Sequence, residues 1–286
     1  MKRVFKIAVL LILATLCTME VQAQRRKVIY LQKYNNEPYH FGFLLGINFM
    51  DYSLFMEDNY QNTDHPKSEF SKSDKDLQGF SNEQLDHFKI FNVESYTQPG
   101  FSVGVIGDKR LGAYFNLRFC PTLSLSSKFV QYETQLYDHS GNIIQFTNET
   151  GTVKNTKTVT SHDQLATFLE FPLLVKYRSK RYNNIGAYLI TGINPKLYLG
   201  SIKGTTITSG ADGYPAVLQI NRTDLAFEFG TGFDIYNQWF KMGIEIKMSV
   251  GLLNIVKDDA WSKNYIYNAP VKEVRNKQLQ LSFTFE

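Results

Sequence analysis

The last nine residues, QLQLSFTFE, alternate without a slip: Leu279, Leu281, Phe283 and Phe285 share one face, and Gln278, Gln280, Ser282 and Thr284 the other. A period of two marks a strand whose faces meet different surroundings. The same alternation predicts strands near 40–55, 100–107, 111–126, 163–178, 185–199, 223–236, 239–253 and 276–285. Their connections alternate too. Short ones fall at 108–110, 179–184 and 237–238, and long ones at 56–99, 127–162, 200–222 and 254–275. An up-and-down sheet with its long loops at one end and an even strand number is the layout of an outer-membrane barrel. The expected fold is therefore all-β: an eight-stranded antiparallel up-and-down transmembrane β-barrel with long extracellular loops and short periplasmic turns.

A soluble barrel alternates as well, so the contents of the faces must decide between them. One face is bulky and apolar: Phe41, Phe43, Leu45, Ile47 and Phe49 in the first strand; Leu225, Phe227, Phe229, Phe233 and Ile235 in the sixth; Met242, Ile244, Ile246 and Met248 in the seventh. An eight-stranded interior is only just wide enough for side chains, so these cannot all point inward. The opposite face carries glycine, among it Gly42, Gly46, Gly192, Gly230, Gly232 and Gly243, together with Arg118, Glu170, Lys176, Lys196, Glu228, Asp234, Glu245 and Lys247. Those eight charges are expected as a lumen network whose members pair off, as buried charges must. The apolar face then meets lipid. Tyr52, Tyr198, Trp261, Tyr265 and Tyr267 near the loop end, and Tyr177, Tyr182, Tyr236 and Trp239 near the turn end, are expected as interfacial girdles. Basic residues at the turn end (Lys109, Arg110, Arg178, Lys180 and Arg181) suit lipid headgroups. Pro121, Pro172 and Pro195 fall inside strands, where each deletes a backbone donor. They should mark bulges or carbonyls satisfied from the lumen.

The N-terminus predicts export. Lys2, Arg3 and Lys6 precede the apolar run IAVLLILATL (7–16), and VQA (21–23) is a cleavage pattern before Gln24. The expected division is a signal peptide at 1–23, a periplasmic N-terminal segment at 24–38 and an outer-membrane barrel domain at 39–286. Removing Lys2, Arg3, Lys6 and Glu20 takes the formal charge from +4 to +2, which argues against nucleic acid as a partner. No later stretch reaches the ~18 apolar residues of a membrane helix. After processing only Cys120 remains, so neither an internal disulfide nor a cysteine metal cluster is expected.

Chemistry is sparse. His40, His65, His87, His139 and His162 have no metal-like spacing, and His162–Asp163 is a lone adjacent pair at a strand start. GTG at 230–232 sits mid-strand with no following helix, unlike a phosphate loop. No catalytic, cofactor or metal site is expected, and no small-molecule substrate. In the first long loop, Ser81 and Gln84 form a capping-box pattern, with Leu85 and Phe88 on one face of a short helix.

NNEPYHFGFLLGINFMDYSL (35–54) resembles the start of the barrel in PorT/SprT proteins of the type IX (Por) secretion system. LEFPLLVKYR (169–178), YLITGINPKLYL (188–199) and the closing LQLSFTFE resemble the wider PorT-like outer-membrane barrel family. One departure is that Glu286 follows Phe285, where many such barrels end on an aromatic residue. The resemblance implies an outer-membrane component needed to export cargo with C-terminal sorting domains. A lumen filled with charged side chains cannot pass a folded protein, so the expected role is accessory or assembly, beside other type IX outer-membrane components and in contact with outer-membrane lipids. The alternatives are a small-solute or ion channel, or a lipid-modifying barrel enzyme.

Overall fold

The computed structural model describes residues 28–66, 85–147, 153–160, 164–199, 218–257 and 266–286. The signal-peptide expectation, Trp261, Tyr265, Ser81, Gln84 and the His162–Asp163 pair lie outside the described residues.

The labelled strands are β1 Tyr39–Met56, β2 Leu85–Thr97, β3 Pro99–Arg110, β4 Phe115–Phe119, β5 Thr122–Asp138, β6 Gln164–Glu170, β7 Leu173–Arg178, β8 Ile185–Tyr198, β9 Thr223–Tyr236, β10 Lys241–Gly251 and β11 Val271–Phe285. All the pairings are antiparallel. β1 pairs on one side with β11, from Phe43↔Phe285 to Met56↔Val271, and on the other with β3, from Tyr39↔Lys109 to Phe49↔Pro99. β3 continues to β4 and β5, those to β7 and β6, and both of these to β8; β8, β9, β10 and β11 follow in order. The ring therefore closes with eight staves, two of them interrupted, and no transmembrane edge is left to expose backbone groups to lipid.

The interruptions are at the prolines, and they are not bulges. Gly107↔Phe119 and Gly104↔Thr122 keep one register across Pro121, as Glu170↔Lys196 and Leu173↔Ile193 do across Pro172. Each proline accepts from its opposite residue but cannot donate back: Val105 N to Pro121 O at 3.0 Å, Cys120 N to Pro172 O at 3.2 Å, Phe171 N to Pro195 O at 2.9 Å. The Cys120 carbonyl that Pro172 leaves bare takes a bond from Thr122 Oγ1 at 2.8 Å, from the lumen side. Thr122→Val should therefore cost about 1–2 kcal/mol, the penalty of an unsatisfied buried carbonyl. Guanidinium unfolding of the vesicle-reconstituted protein measures it. Adding Pro172→Ala, which restores the N–H, should recover much of that loss.

The outward positions of β1, from Tyr39 to Phe49, are 40–75% exposed and apolar throughout. Eleven residues inclined at about 40° rise about 25 Å, the height of a barrel's lipid belt. Asp51, facing Lys277 across the seam, ends the belt.

Beyond that rim the structure departs from the sequence reading. Residues 56–99 and 127–162 are not simply loops. β5 runs on to Asp138, and β2 pairs with its upper half from Leu85↔Asp138 to Thr97↔Lys128. Leu85 and Phe88 belong to this strand and not to a helix. Along β5 the faces exchange character. Low in the strand Thr122, Ser124, Ser126 and Lys128 point inward while Leu123 and Leu125 point out. Higher up Val130, Tyr132 and Leu136 are buried and Gln131, Glu133 and Gln135 face out. Parity never changes, but the outside medium does, from hydrocarbon to water. The inward apolar residues assemble a second core with Tyr52, Leu85, Phe88, Ile90, Ile220, Tyr267 and Val274 over the outer mouth.

At the opposite end the first short turn is 111–114 and not 108–110, because β3 pairs with β4 up to Arg110↔Asn116. The girdle expectation is also corrected. Tyr52, Tyr198, Tyr236 and Tyr267 are buried inside, whereas Tyr177, Tyr182 and Trp239 are exposed and are joined by Tyr39 and Tyr114.

Candidate functional site: a charge-paired lumen

All eight charged residues expected in the lumen are buried there, and they meet one another. Arg118 Nη1 lies 3.2 Å from Glu245 Oε2, Lys176 Nζ 2.9 Å from Asp234 Oδ2, Lys247 Nζ 3.0 Å from Glu228 Oε2 and Lys196 Nζ 3.8 Å from Glu170 Oε2. Inward strand positions place them, and the alternation is what delivers each to the bore. Missing side chains make the space. A Cβ on Gly232 would stand 2.5 Å from the Tyr188 ring, and one on Gly192 2.1 Å from the Leu173 carbonyl. The Tyr188 ring so admitted carries Lys176 Nζ 3.7 Å above its centre, and its hydroxyl donates to Glu245 at 3.0 Å.

Several members were not foreseen. Asp108, read as part of a turn, holds Arg118 by two parallel bonds of 2.9 Å each to Nε and Nη2. This is the fork geometry that makes an arginine–carboxylate pair strong. The C-terminal Glu286 folds its side chain into the bore, 2.8 Å from Arg118 Nη2 and 2.8 Å from Lys241 Nζ, while its main chain exchanges two bonds with Lys241. Glu286 thus supplies a lumen carboxylate, and Phe285 faces lipid against Phe43 at 5.0 Å. In the middle of the bore Asn194 Nδ2 donates to Glu228 at 2.6 Å and to Glu170 at 2.8 Å, bridging two acids. Near the outer rim Lys128 donates to Asn276 at 2.7 Å and sits 4.0 Å over the Tyr52 ring, where the polar bore meets the apolar core.

The periplasmic mouth is crossed by the segment before β1. Tyr34 enters it, stacked on His40 at 4.1 Å, with its hydroxyl 3.3 Å from Glu286 Oε2 and Lys241 Nζ 4.8 Å over its ring. Burial pushes the Tyr34 phenol up, so it stays protonated and donates. Arg181 donates to the carbonyls of Tyr30 and Leu31 and stacks over Tyr236 at 3.8 Å. Asn184 holds Tyr30 N at 2.9 Å and Val28 O at 2.8 Å. Arg110 reaches Asn36 O at 2.9 Å. Arg110 and Arg181 therefore clamp this strap and do not only face headgroups. Arg178, on an inward position, is buried.

This arrangement is a set of neutralised pairs between a strap and an apolar cover. Among the described residues no group of three or more His, Cys, Asp and Glu side chains could hold a metal ion.

A family model described as an outer membrane protein beta-barrel domain matches residues 22–257. Similar solved structures include neisserial surface protein A, at 11% identity and TM-score 0.37 over 87% of this chain and 98% of that one. The attachment invasion locus protein Ail of Yersinia pestis matches at 8% identity and TM-score 0.32, over 87% and 98%. OprG from Pseudomonas aeruginosa matches at 9% identity and TM-score 0.32, over 85% and 94%. Comparison with curated proteins gave no match.

Proposed function

Because the chain belongs to the outer membrane protein beta-barrel domain family, we propose that it serves the outer membrane as a non-conducting, non-catalytic component of the type IX protein secretion machinery. In this reading residues 1–23 direct export. The mature barrel acts as an accessory or assembly factor for cargo with C-terminal sorting domains, and other type IX outer-membrane components are its partners. The secretion assignment rests on the resemblance of the segment beginning PYHFGFLLGIN. In β1 the outward residues of that segment build the lipid wall, while its inward His40 and Gly42 lie beside Tyr34 and the C-terminal seam. The accessory role rests on one observation: the buried ion pairs, Arg118 with its three carboxylates among them, and their amide bridges occupy the bore, and an eight-stranded interior is only just wide enough for side chains.

Two measurements test the two halves separately. Deleting the gene should leave cargo with C-terminal sorting domains in the periplasm, and normal surface display would remove the secretion reading. Purified protein in planar bilayers should conduct no more than the bare membrane. Stable single-channel steps would remove the non-conducting reading and favour a solute channel.

A further inference from the structure

At the periplasmic rim a cleft of about 120 Å³ is walled by the turns 111–114 and 179–184, the start of β8 and Asn35 of the strap. Arg178 lines it and is 7% exposed. Its Nη1 donates to Asn35 Oδ1 at 2.7 Å. Its Nε and Nη2, the edge that grips two oxygens at once, have no hydrogen-bond partner among the described residues. A buried guanidinium edge without acceptors is costly, so a ligand that supplies them is favoured there.

The charge around the cleft has the same sign. Lys180 and Arg181 stand on the same wall, and Asp234, the carboxylate in it, is already held by Lys176 at 2.9 Å and lies 3.9 Å from Lys241. Gly186 leaves the space open: a Cβ there would meet nothing nearer than the Tyr236 ring at 3.8 Å. Tyr114, Phe115 and Tyr177, between 39% and 47% exposed, place the cleft at the periplasmic edge of the lipid belt, the depth of inner-leaflet phosphates.

We propose that this cleft binds a phosphate group through the Nε–Nη2 edge of Arg178, carried by an inner-leaflet phospholipid or free in the periplasm. An occupied site ties the strap, through Asn35, to the leaflet beneath the barrel. The proposal does not depend on the secretion reading.

The test is calorimetric titration of the full mature protein in maltoside detergent with inorganic phosphate and, separately, with monomeric dihexanoyl phosphatidylglycerol. Saturable binding of at least one is expected, weakened by about tenfold or more in Arg178→Gln, the worth of a charged hydrogen bond. Gly186→Ala, whose Cβ fits without a clash, should keep the fold and weaken binding by narrowing the cleft. Binding of phosphate alone assigns the free ion; binding of the lipid alone assigns the headgroup. Failure of both ligands to bind saturably, unchanged binding in either variant, or acetate binding as tightly as phosphate overturns the proposal.

Discussion

Arg118→Leu is expected to lower the unfolding free energy of the barrel by about 3–5 kcal/mol, the cost of breaking a buried ion pair from one side. Arg118 is 1% exposed and touches three carboxylates, those of Asp108, Glu245 and Glu286. Of these, Glu286 keeps Lys241 and Glu245 keeps the Tyr188 hydroxyl, but Asp108 loses both bonds of its fork. The measurement is a guanidinium titration in lipid vesicles, followed by heat-dependent migration on gels. Fold and closure need not fail, because the ring of backbone bonds is untouched. The control is the triple variant Arg118→Leu with Asp108→Asn and Glu245→Gln. It removes the uncompensated charge and should recover most of the loss, since neutral replacement of a buried ionic group is often tolerated. If the single variant is as stable as the parent, the lumen charges are solvated and the bore is not closed.

The ring itself was readable along the chain because hydrocarbon imposes a strict rule: each stave alternates, and bulky side chains cannot fit inside. Glu286 and Asp108 obeyed that rule. Counting by twos from Gln278 puts Glu286 in the bore, and counting from Ser102 does the same for Asp108. Charge hid them, since DKR resembles a turn and a terminal Glu resembles a solvated end. The upper sheet was hidden for a different reason. In β5 the alternation persists above Lys128, but with apolar residues inward, opposite to the pattern that identified the lower staves. In β2 two bulges, after Leu85 and after Ile90, space Leu85, Phe88, Ile90 and Val93 unevenly along the chain, so the strand imitates a helical stripe. The pairing of particular cations with particular acids depends on the stagger between staves, which no single strand encodes.

Phe88→Ala separates the two cores. Phe88 is fully buried in the apolar cover, its ring 5.5 Å from that of His65. Truncating a buried Phe costs about 3–5 kcal/mol in transfer and cavity terms. That cost should appear in the cover alone, because the two ends are held by different forces. The cover is an apolar core between strands that stand in water, so it answers to the hydrophobic effect and to denaturant. The bore is held by a closed backbone ladder in lipid, where no opened bond can be met by solvent. Limited proteolysis of reconstituted protein from the outer side should therefore cut within β2 and the upper half of β5 much faster in the variant. The heat-dependent gel shift of the barrel should stay at the parent temperature. The lumen pairs lie below the cover and are made within the bore itself, so single-channel conductance should remain at the level of the bare bilayer. Loss of the gel shift together with the cover would mean one cooperative unit, and β5, which belongs to both cores, would be the element that couples them.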